Sequence, residues 1–269
     1  MNTECRFAKL IPGKVESTRD GGTVMTRLNV SRLLFSRSGR WVILGLLVFS
    51  ALLLFACAGK SGPSTVLTGL VEIEAGWHHT CALTTAGGVN CWGNNHDGQL
   101  GDGTEVDRVT AVDVVGLMSR VNAIAAGERH TCALTTDGGV KCWGNNHDGQ
   151  LGDGTGIDRN TPVDVAGLTS GVAAITAGWR HTCVLTTGGG VKCWGKNHDG
   201  QVGDGTAINR RTPADVVGLT SGIKTITAGG QHTCALNPKY VQCWGDNEDG
   251  QLGDGTTADT LAAREEVGL

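Results

Sequence analysis

The stretch from Cys91 to Thr104 reads Cys-Trp-Gly-Asn-Asn-His-Asp-Gly-Gln-Leu-Gly-Asp-Gly-Thr, and nearly the same fourteen residues return three more times. The later copies begin at Cys142, Cys193 and Cys243, at intervals of 51, 51 and 50 residues. The triplet His-Thr-Cys precedes each copy, at His79, His130, His181 and His232. A fixed period of this length is the signature of a repeat architecture. The sequence therefore predicts four units, at about residues 70–120, 121–171, 172–222 and 223–269.

Each unit has the alternating apolar pattern of short β-strands separated by glycine-rich turns. In the second unit we expect strands at residues 121–126, 130–135 and 140–143, with a turn at residues 137–139. Gly makes up 43 of 269 residues and aromatic residues only 4%, so aliphatic side chains must fill most of the core. One Trp in each unit is expected to pack between neighbouring sheets: Trp92, Trp143, Trp194 and Trp244. The chain is thus predicted to be all-β.

The N-terminal segment has the features of an export signal. Residues 41–56 carry no charge and are mostly apolar, and arginines precede them. The run ends in Leu-Phe-Ala-Cys at Cys57, which resembles the lipobox of bacterial lipoproteins. We expect residues 1–56 to be an extension plus signal, Cys57 to be lipidated and residues 57–69 to be a linker. An uncleaved membrane anchor is the alternative, since the run is nearly long enough to span a bilayer. Both interpretations place the repeats in the cell envelope, outside the cytoplasm.

The distribution of charge argues against nucleic-acid binding. The chain has 22 Lys/Arg and 26 Asp/Glu, a formal net charge of -4. Eight of the basic and three of the acidic residues lie in residues 1–56, which leaves 14 basic and 23 acidic residues from Cys57 onward. A surface that acidic repels phosphate backbones. We therefore expect no nucleic-acid partner.

The cysteines of each unit are placed to face each other across a hairpin. When Leu134 pairs with Val140, the antiparallel register puts Cys132 opposite Cys142. The fourth unit is one residue shorter, and a two-residue turn at Pro238-Lys239 keeps the same register. Opposed cysteines in an exported chain favour disulfides over free thiols or zinc, which usually takes closely spaced ligand pairs. The expected pairs are Cys81–Cys91, Cys132–Cys142, Cys183–Cys193 and Cys234–Cys243.

No motif in the repeats predicts catalysis, a metal or a cofactor. The Asn-Asn-His-Asp-Gly string resembles a calcium loop, but Thr104 stands where that loop needs a Glu. His79 has an equivalent in every unit, so we expect it to hold each turn against its neighbour by a hydrogen bond. Catalysis generally needs a singular constellation of nucleophile, base and orienting group. We expect the protein not to be an enzyme.

The residues common to the four units form the pattern Gly-x-x-His-Thr-Cys-Ala-Leu-Thr-Thr-x-Gly-Gly-Val-x-Cys-Trp-Gly-x-Asn-x-Asp-Gly-Gln-Leu-Gly-Asp-Gly-Thr over about residues 70–269. Thr-Pro-x-Asp-Val follows it at Thr161 and Thr212. This pattern resembles the repeat of the regulator of chromosome condensation family. The resemblance implies a β-propeller of four-stranded blades, usually about seven of them. The family includes a nuclear exchange factor for a small GTPase, chromatin-linked proteins, and secreted bacterial members such as the β-lactamase inhibitor protein II, which binds enzymes through loops on one face.

Four units are fewer than the family's usual number. We therefore expect a β-propeller-like array of four blades of about 51 residues that is incomplete or is closed by homo-oligomerisation, because open edge strands are a liability that proteins cover. Export would separate the chain from any nuclear GTPase. A role like that of the guanine-nucleotide exchange factor is therefore the alternative function.

Function in a repeat scaffold is expected at positions that differ between the copies, because the common residues serve the fold. The two residues before each repeated His differ, and they include Trp and Arg, which are enriched in interface hot spots. We expect an exported, membrane-anchored scaffold that binds a protein or glycan without catalysis. The predicted partner-binding residues are Trp77, His78, Glu128, Arg129, Trp179, Arg180 and Gln231.

Overall fold

The computed structural model describes residues 9–11, 14–16 and 67–265. The predicted export segment and Cys57 lie outside these described residues. Within the described ranges, no helix has the length and apolar character to cross a membrane. The chain divides into two compact units, with the boundary after Val66. In the first unit, two short strands pair antiparallel: β1 (Lys9–Ile11) and β2 (Lys14–Glu16).

The second unit consists of four sheets, one for each sequence repeat, and each sheet is an antiparallel meander of four strands. Blade 1 comprises β3 (Leu70–Ala75), β4 (His79–Thr84), β5 (Val89–Gly93) and β6 (Arg108–Asp113). Blade 2 comprises β7 (Val121–Ala126), β8 (His130–Thr135), β9 (Val140–Gly144) and β10 (Arg159–Asp164). Blade 3 comprises β11 (Val172–Ala177), β12 (His181–Thr186), β13 (Val191–Gly195) and β14 (Arg210–Asp215). Blade 4 comprises β15 (Thr225–Ala228), β16 (His232–Leu236), β17 (Val241–Gly245) and β18 (Thr260–Glu265).

The register of the central hairpins is the one that the sequence predicts. Leu134 pairs with Val140, and Cys132 lies opposite Cys142. In blade 4 the shorter turn is closed by Asn237, whose amide donates to the carbonyl of Tyr240 over 3.1 Å. All four expected cysteine pairs are bonded, with S–S distances of 2.07 to 2.10 Å. The one-residue deletion therefore falls in the turn and leaves the paired strands unchanged.

The core is divided among the three interfaces between successive blades. The cluster between blades 1 and 2 joins aliphatic side chains of both sheets to the indole of Trp143, and the other two interfaces repeat it with Trp194 and Trp244. These three tryptophans are fully buried, as expected. Trp92 is only half buried, because blade 1 has no sheet on that side among the described residues. The prediction of an inter-sheet role is therefore wrong for Trp92 within this array.

The fourteen-residue stretch begins in the third strand of the blade, β5, and its remaining residues form most of the loop to the fourth strand, which reaches the next blade. Asn95 organises the loop by accepting the amide of Leu100 at 2.9 Å and donating to the Thr104 carbonyl at 3.0 Å. Gly101 has a φ of 68°, and a Cβ there would lie 2.8 Å from Nε1 of Trp143. Glycine is thus required where the loop meets the neighbouring indole.

Candidate partner-binding face

Each blade interface contains the same small network of hydrogen bonds. Between blades 1 and 2, the Thr131 hydroxyl donates to the Gln99 carbonyl at 2.9 Å, and Nε1 of Trp143 donates to the same oxygen at 2.9 Å. The Thr131 oxygen then accepts from Nε2 of His79 at 2.9 Å. The equivalent histidines of the next two interfaces, His130 and His181, bind threonines in the same way. The first three copies of the repeated His therefore fasten neighbouring blades, as the sequence predicts, whereas the fourth copy, His232, makes no such contact within residues 67–265.

The network fixes the protonation state of these histidines. Because Nε2 is the donor, Nδ1 carries no proton, and in His79, His130 and His181 it has no hydrogen-bond partner. Burial, with a smaller contribution from His78, lowers the pKa of His79 to about 4. Burial lowers the pKa of His130 and His181 to about 3. The rings are therefore neutral at physiological pH and enclosed, which suits packing and not proton transfer.

The loops that precede these histidines are held side by side on one face of the array. The amide of Glu128 donates to the Trp179 carbonyl at 3.0 Å, and the amide of Trp179 donates to the Gly230 carbonyl at 3.0 Å. These bonds link the equivalent positions of blades 2, 3 and 4. The structure thereby brings together the residues that differ between the copies, and we name this surface the loop face.

Two tryptophans of the loop face stack on each other although they belong to blades 1 and 3. The ring centroids of Trp77 and Trp179 are 6.2 Å apart, with 11° between the planes. His78 stacks on Trp77, with centroids 5.4 Å apart. Trp77 and Trp179 remain 59% and 52% exposed. A Cβ on Gly230 would lie 2.7 Å from the Trp179 ring, so only glycine allows this indole to lie on the next loop.

A buried carboxylate of the loop face, that of Glu128, orients two guanidinium groups. Glu128 accepts from Nε of Arg180 at 3.0 Å and lies 3.4 Å from Nε of Arg129. The Arg180 guanidinium also approaches Asp148 at 3.5 Å, and that of Arg129 approaches Asp97 at 3.4 Å. The hydrogen bond to Glu128 is the main cause that raises the pKa of Arg180. Both cations are thus half exposed but fixed in orientation.

A small open pocket of about 250 Å³ lies among these side chains. It contains five of the seven predicted residues, while His78 and Arg129 lie beside it through their contacts with Trp77 and Glu128. Its lining residues are Trp77, Glu128, Trp179, Arg180, Lys196, Gln201, Gly230 and Gln231.

Two of the lining side chains, Lys196 and Gln201, are not among the residues predicted from the sequence. Lys196 donates to Asp199 and to the side chain of Gln231. The signal for it was present, because the other units have Asn, Asn and Asp at the position of Lys196. Gln201 occurs in all four units, so variation between the copies could not have identified it.

Comparisons with known proteins agree with this architecture. Among curated relatives, the ultraviolet-B receptor UVR8 of Arabidopsis thaliana is 35% identical over 162 residues, which cover 60% of this chain and 36% of the receptor. The probable E3 ubiquitin-protein ligase HERC4 of Homo sapiens is 36% identical over 173 residues, which cover 63% of this chain and 16% of the ligase. The chain therefore spans about a third or less of these relatives.

Solved structures share the blade arrangement. Human WBSCR16 superposes with a TM-score of 0.68 at 27% identity, over 76% of this chain and 54% of that one. Prp20p from Saccharomyces cerevisiae, whose binding to Gsp1p and histones has been described, superposes with a TM-score of 0.67 at 25% identity, over 76% of this chain and 52% of that one. The family model described as the RCC1-like domain matches residues 48–267. The chain therefore belongs to the RCC1-like domain family.

Proposed function

We propose that the protein is a non-catalytic binding scaffold and that the loop face is its contact surface. The observation that carries this proposal is the stacked pair Trp77 and Trp179, which stays more than half exposed beside two oriented arginines. Large exposed aromatic surface is costly in water, and Trp and Arg dominate interface hot spots. The fixed guanidinium groups lose little side-chain entropy on binding.

A protein is the partner that this face suits best, and a glycan is the alternative. Relatives of known structure have protein partners: Kap60 is bound to yeast RCC1 (Prp20), and Prp20p binds Gsp1p and histones. The pocket of about 250 Å³ is too small and too open for a drug-sized ligand but can accept one side chain or one sugar ring. Each cation of the face is already paired with a carboxylate, so a partner is not required to be strongly anionic.

The proposal is tested by removing exposed side chains of the loop face one at a time while the stability of the fold is followed. We expect Trp77→Ala, Trp179→Ala and Arg180→Ala to weaken capture of the partner at least tenfold each, since hot-spot truncations cost about 2 kcal/mol or more. The capture assay uses an envelope extract for protein partners and a glycan array for sugars, with thermal unfolding measured in parallel. Val109→Ala is the matched control, because Val109 is an exposed apolar residue on the outer strand of blade 1.

Unchanged capture by all three variants would refute the assignment of this face. A loss of capture accompanied by a large drop in the unfolding midpoint would instead show that these side chains are structural.

The place of action is part of the same proposal. The apolar run at residues 41–56 and the lipobox-like sequence at Cys57 support an exported protein held at the membrane of the cell envelope by a lipid. The two interpretations of this segment, lipidation and an uncleaved anchor, both leave the loop face outside the cytoplasm.

The alternative function from the family is that of a guanine-nucleotide exchange factor. Nucleotide-release assays with small GTPases distinguish it from a scaffold, because an exchange factor accelerates release and a passive scaffold does not. A substrate screen of the purified protein tests the proposed lack of catalysis in the same preparation. Turnover of any substrate in that screen would overturn the proposal that the protein has no catalytic activity.

A second candidate function is a response to ultraviolet-B light. The stacked indoles of Trp77 and Trp179 favour it, because indole absorbs in this range and one curated relative is an ultraviolet-B receptor. Irradiation of the purified chain would then change its near-ultraviolet circular dichroism or its mass in solution. Trp77→Phe and Trp179→Phe should abolish the change, and an unresponsive wild-type chain would eliminate this candidate.

A further inference from the structure

The three blade interfaces are built from the same atoms, so each blade has two distinct and complementary sides. The front side, which faces the following blade, presents the repeated His, the Gln carbonyl of the loop and a leucine of the second strand. The back side, which faces the preceding blade, presents the repeated Thr, the Trp Nε1 and an isoleucine of the first strand. Every internal interface joins one front side to one back side.

The back side of blade 1 is uncovered among the described residues. Ile73 is 61% exposed, whereas its equivalent Ile124 in blade 2 is 2% exposed. Thr80 and Trp92 are only half buried, and neither side chain makes, with any described residue, the inter-blade hydrogen bond of its equivalents Thr131 and Trp143. The back side of blade 1 therefore presents a donor indole, a hydroxyl and apolar surface that no described residue covers.

The front side of blade 4 is likewise uncovered within residues 67–265. Leu236 is 43% exposed, whereas its equivalent Leu83 in blade 1 is 3% exposed. His232 is half buried and lacks the threonine contact that the other three histidines make in the described part of the chain. The carbonyl of Gln251 is equivalent to those of Gln99, Gln150 and Gln201, each of which accepts from a threonine and a tryptophan of the next blade.

We propose that these two uncovered sides bind each other between two copies of the chain, with the front side of blade 4 of one copy packed against the back side of blade 1 of the other. The groups match one to one: Nε2 of His232 would donate to Thr80, and Nε1 of Trp92 would donate to the carbonyl of Gln251. The side chains of Ile73 and Leu236 would bury each other. The internal interfaces show that these hydrogen-bonding groups and the Ile–Leu pair are complementary when they meet, and the two uncovered sides contain all of them. The front side differs at one position, because Glu266 stands in blade 4 where the other blades have a buried valine (Val114, Val165 and Val216).

In the proposed ring two copies form two such contacts, because the described part of each copy has one uncovered front side and one uncovered back side. The result is a closed ring of eight blades, within the range of four to eight that propellers adopt. A head-to-tail contact that closes in this way leaves no blade with an uncovered side. The loop face is continued across the contact, since the amide of Gly230 would face the Trp77 carbonyl of the second copy, as that of Trp179 faces Gly230. The proposal rests on the fold and does not depend on the proposed function.

The test uses the full chain, purified in mild detergent, with its mass measured by native mass spectrometry. We expect the wild type to be a dimer and Ile73→Glu and Leu236→Glu each to be monomeric, because either substitution places a charge in both contacts of the ring. Both residues are exposed, so folding should survive, which near-ultraviolet circular dichroism checks. Ile208→Glu, at an exposed loop position of blade 3, is the matched control and should remain dimeric.

Mixing the two variants makes the test specific for head-to-tail binding. The Ile73→Glu chain keeps an intact front side, and the Leu236→Glu chain keeps an intact back side. These two sides can bind each other, so the mixture should form a heterodimer although neither variant dimerises alone. A wild-type chain that stays monomeric up to high concentration would overturn the proposal. So would a dimer that persists in either variant, or a mixture that contains only folded monomers.

Discussion

At the scale of single residues, one backbone conformation departs from what the side chain prefers. Arg120 has a φ of 68°, and it is the one non-glycine residue with a positive φ in the described part of the chain. The equivalent positions are Gly69, Gly171 and Gly222, all with positive φ. The amide of Thr136 bonds the Arg120 carbonyl, as that of Thr187 bonds the Gly171 carbonyl. The turn therefore imposes the same conformation whichever residue occupies it.

We expect Arg120→Gly to stabilise the protein by about 1 kcal/mol, because a left-handed conformation costs an L-residue about 1 to 2 kcal/mol and glycine has a larger entropy loss on folding. The ion pair of Arg120 with Asp137, 4.0 Å apart and exposed, contributes little against this. Denaturant unfolding with the disulfides intact measures the difference.

The reverse substitution provides the control for Arg120→Gly. Gly171→Arg places a side chain where a Cβ would meet nothing within 4 Å, so its cost comes from the backbone alone. We expect a destabilisation of similar size. Equal stability of both variants and the wild type would show that this turn relaxes without strain.

At the scale of strands and blades, the sequence predicted the paired hairpins best. Opposed cysteines and the shortened turn at Pro238 fix the register of the second and third strands by arithmetic alone. The fourth strand of each blade followed only from the family resemblance. In blades 2 and 3 this strand contains a proline, Pro162 and Pro213 respectively. An outer edge strand tolerates proline, but in a sequence pattern proline indicates the end of a strand.

The contacts between blades could not be predicted to the same depth. The stacking of Trp77 on Trp179 skips the blade between them, so it depends on the curvature of the array and on the small volume of Gly230. Variation between the copies found both tryptophans without showing that they meet. Lys196 was missed for a different reason. Its position varies between the copies, but it lies inside the repeated fourteen-residue stretch, which we interpret as serving the fold.

The buried histidines make the blade interfaces sensitive to acid. His79, His130 and His181 have pKa values of about 4, 3 and 3 in the folded chain, below the ordinary value of 6.5. Because the unfolded state binds the extra protons, the stability that neutral histidine provides is complete above pH 6.5 and is lost as the pH falls toward these values. At pH 5 each of the three histidines should therefore lower the free energy of unfolding by about 2 kcal/mol relative to its value at high pH.

Unfolding free energies measured between pH 7 and pH 5 test this expectation. His130→Gln should remove roughly a third of the loss, since one of three equivalent groups no longer titrates. His147→Gln is the matched control for the substitution itself, because His147 is exposed in the loop of the same blade. A slope that His130→Gln does not alter would assign the acid sensitivity to other groups.

At the scale of the whole molecule, the chain is predicted to act from a membrane surface. We expect the mature protein to begin at Cys57 with an attached lipid, and we expect Cys57→Ser to abolish the lipid and release the protein from membranes. Intact-mass measurement and detergent phase partition detect both changes. Cys5→Ser is the control and should have no effect, because residues 1–56 are removed in this interpretation. A mature chain that retains residues 41–56 would establish the uncleaved anchor instead.

The network that joins His79, Thr131 and the Gln99 carbonyl has an evolutionary consequence. It recurs at all three interfaces with nearly the same distances, so any internal blade can lie beside any other. A duplication or loss of 51 residues, such as 121–171, would leave compatible surfaces at both new junctions. Recombination can therefore change the number of blades in one step, while the loops before each histidine diverge separately toward new ligands.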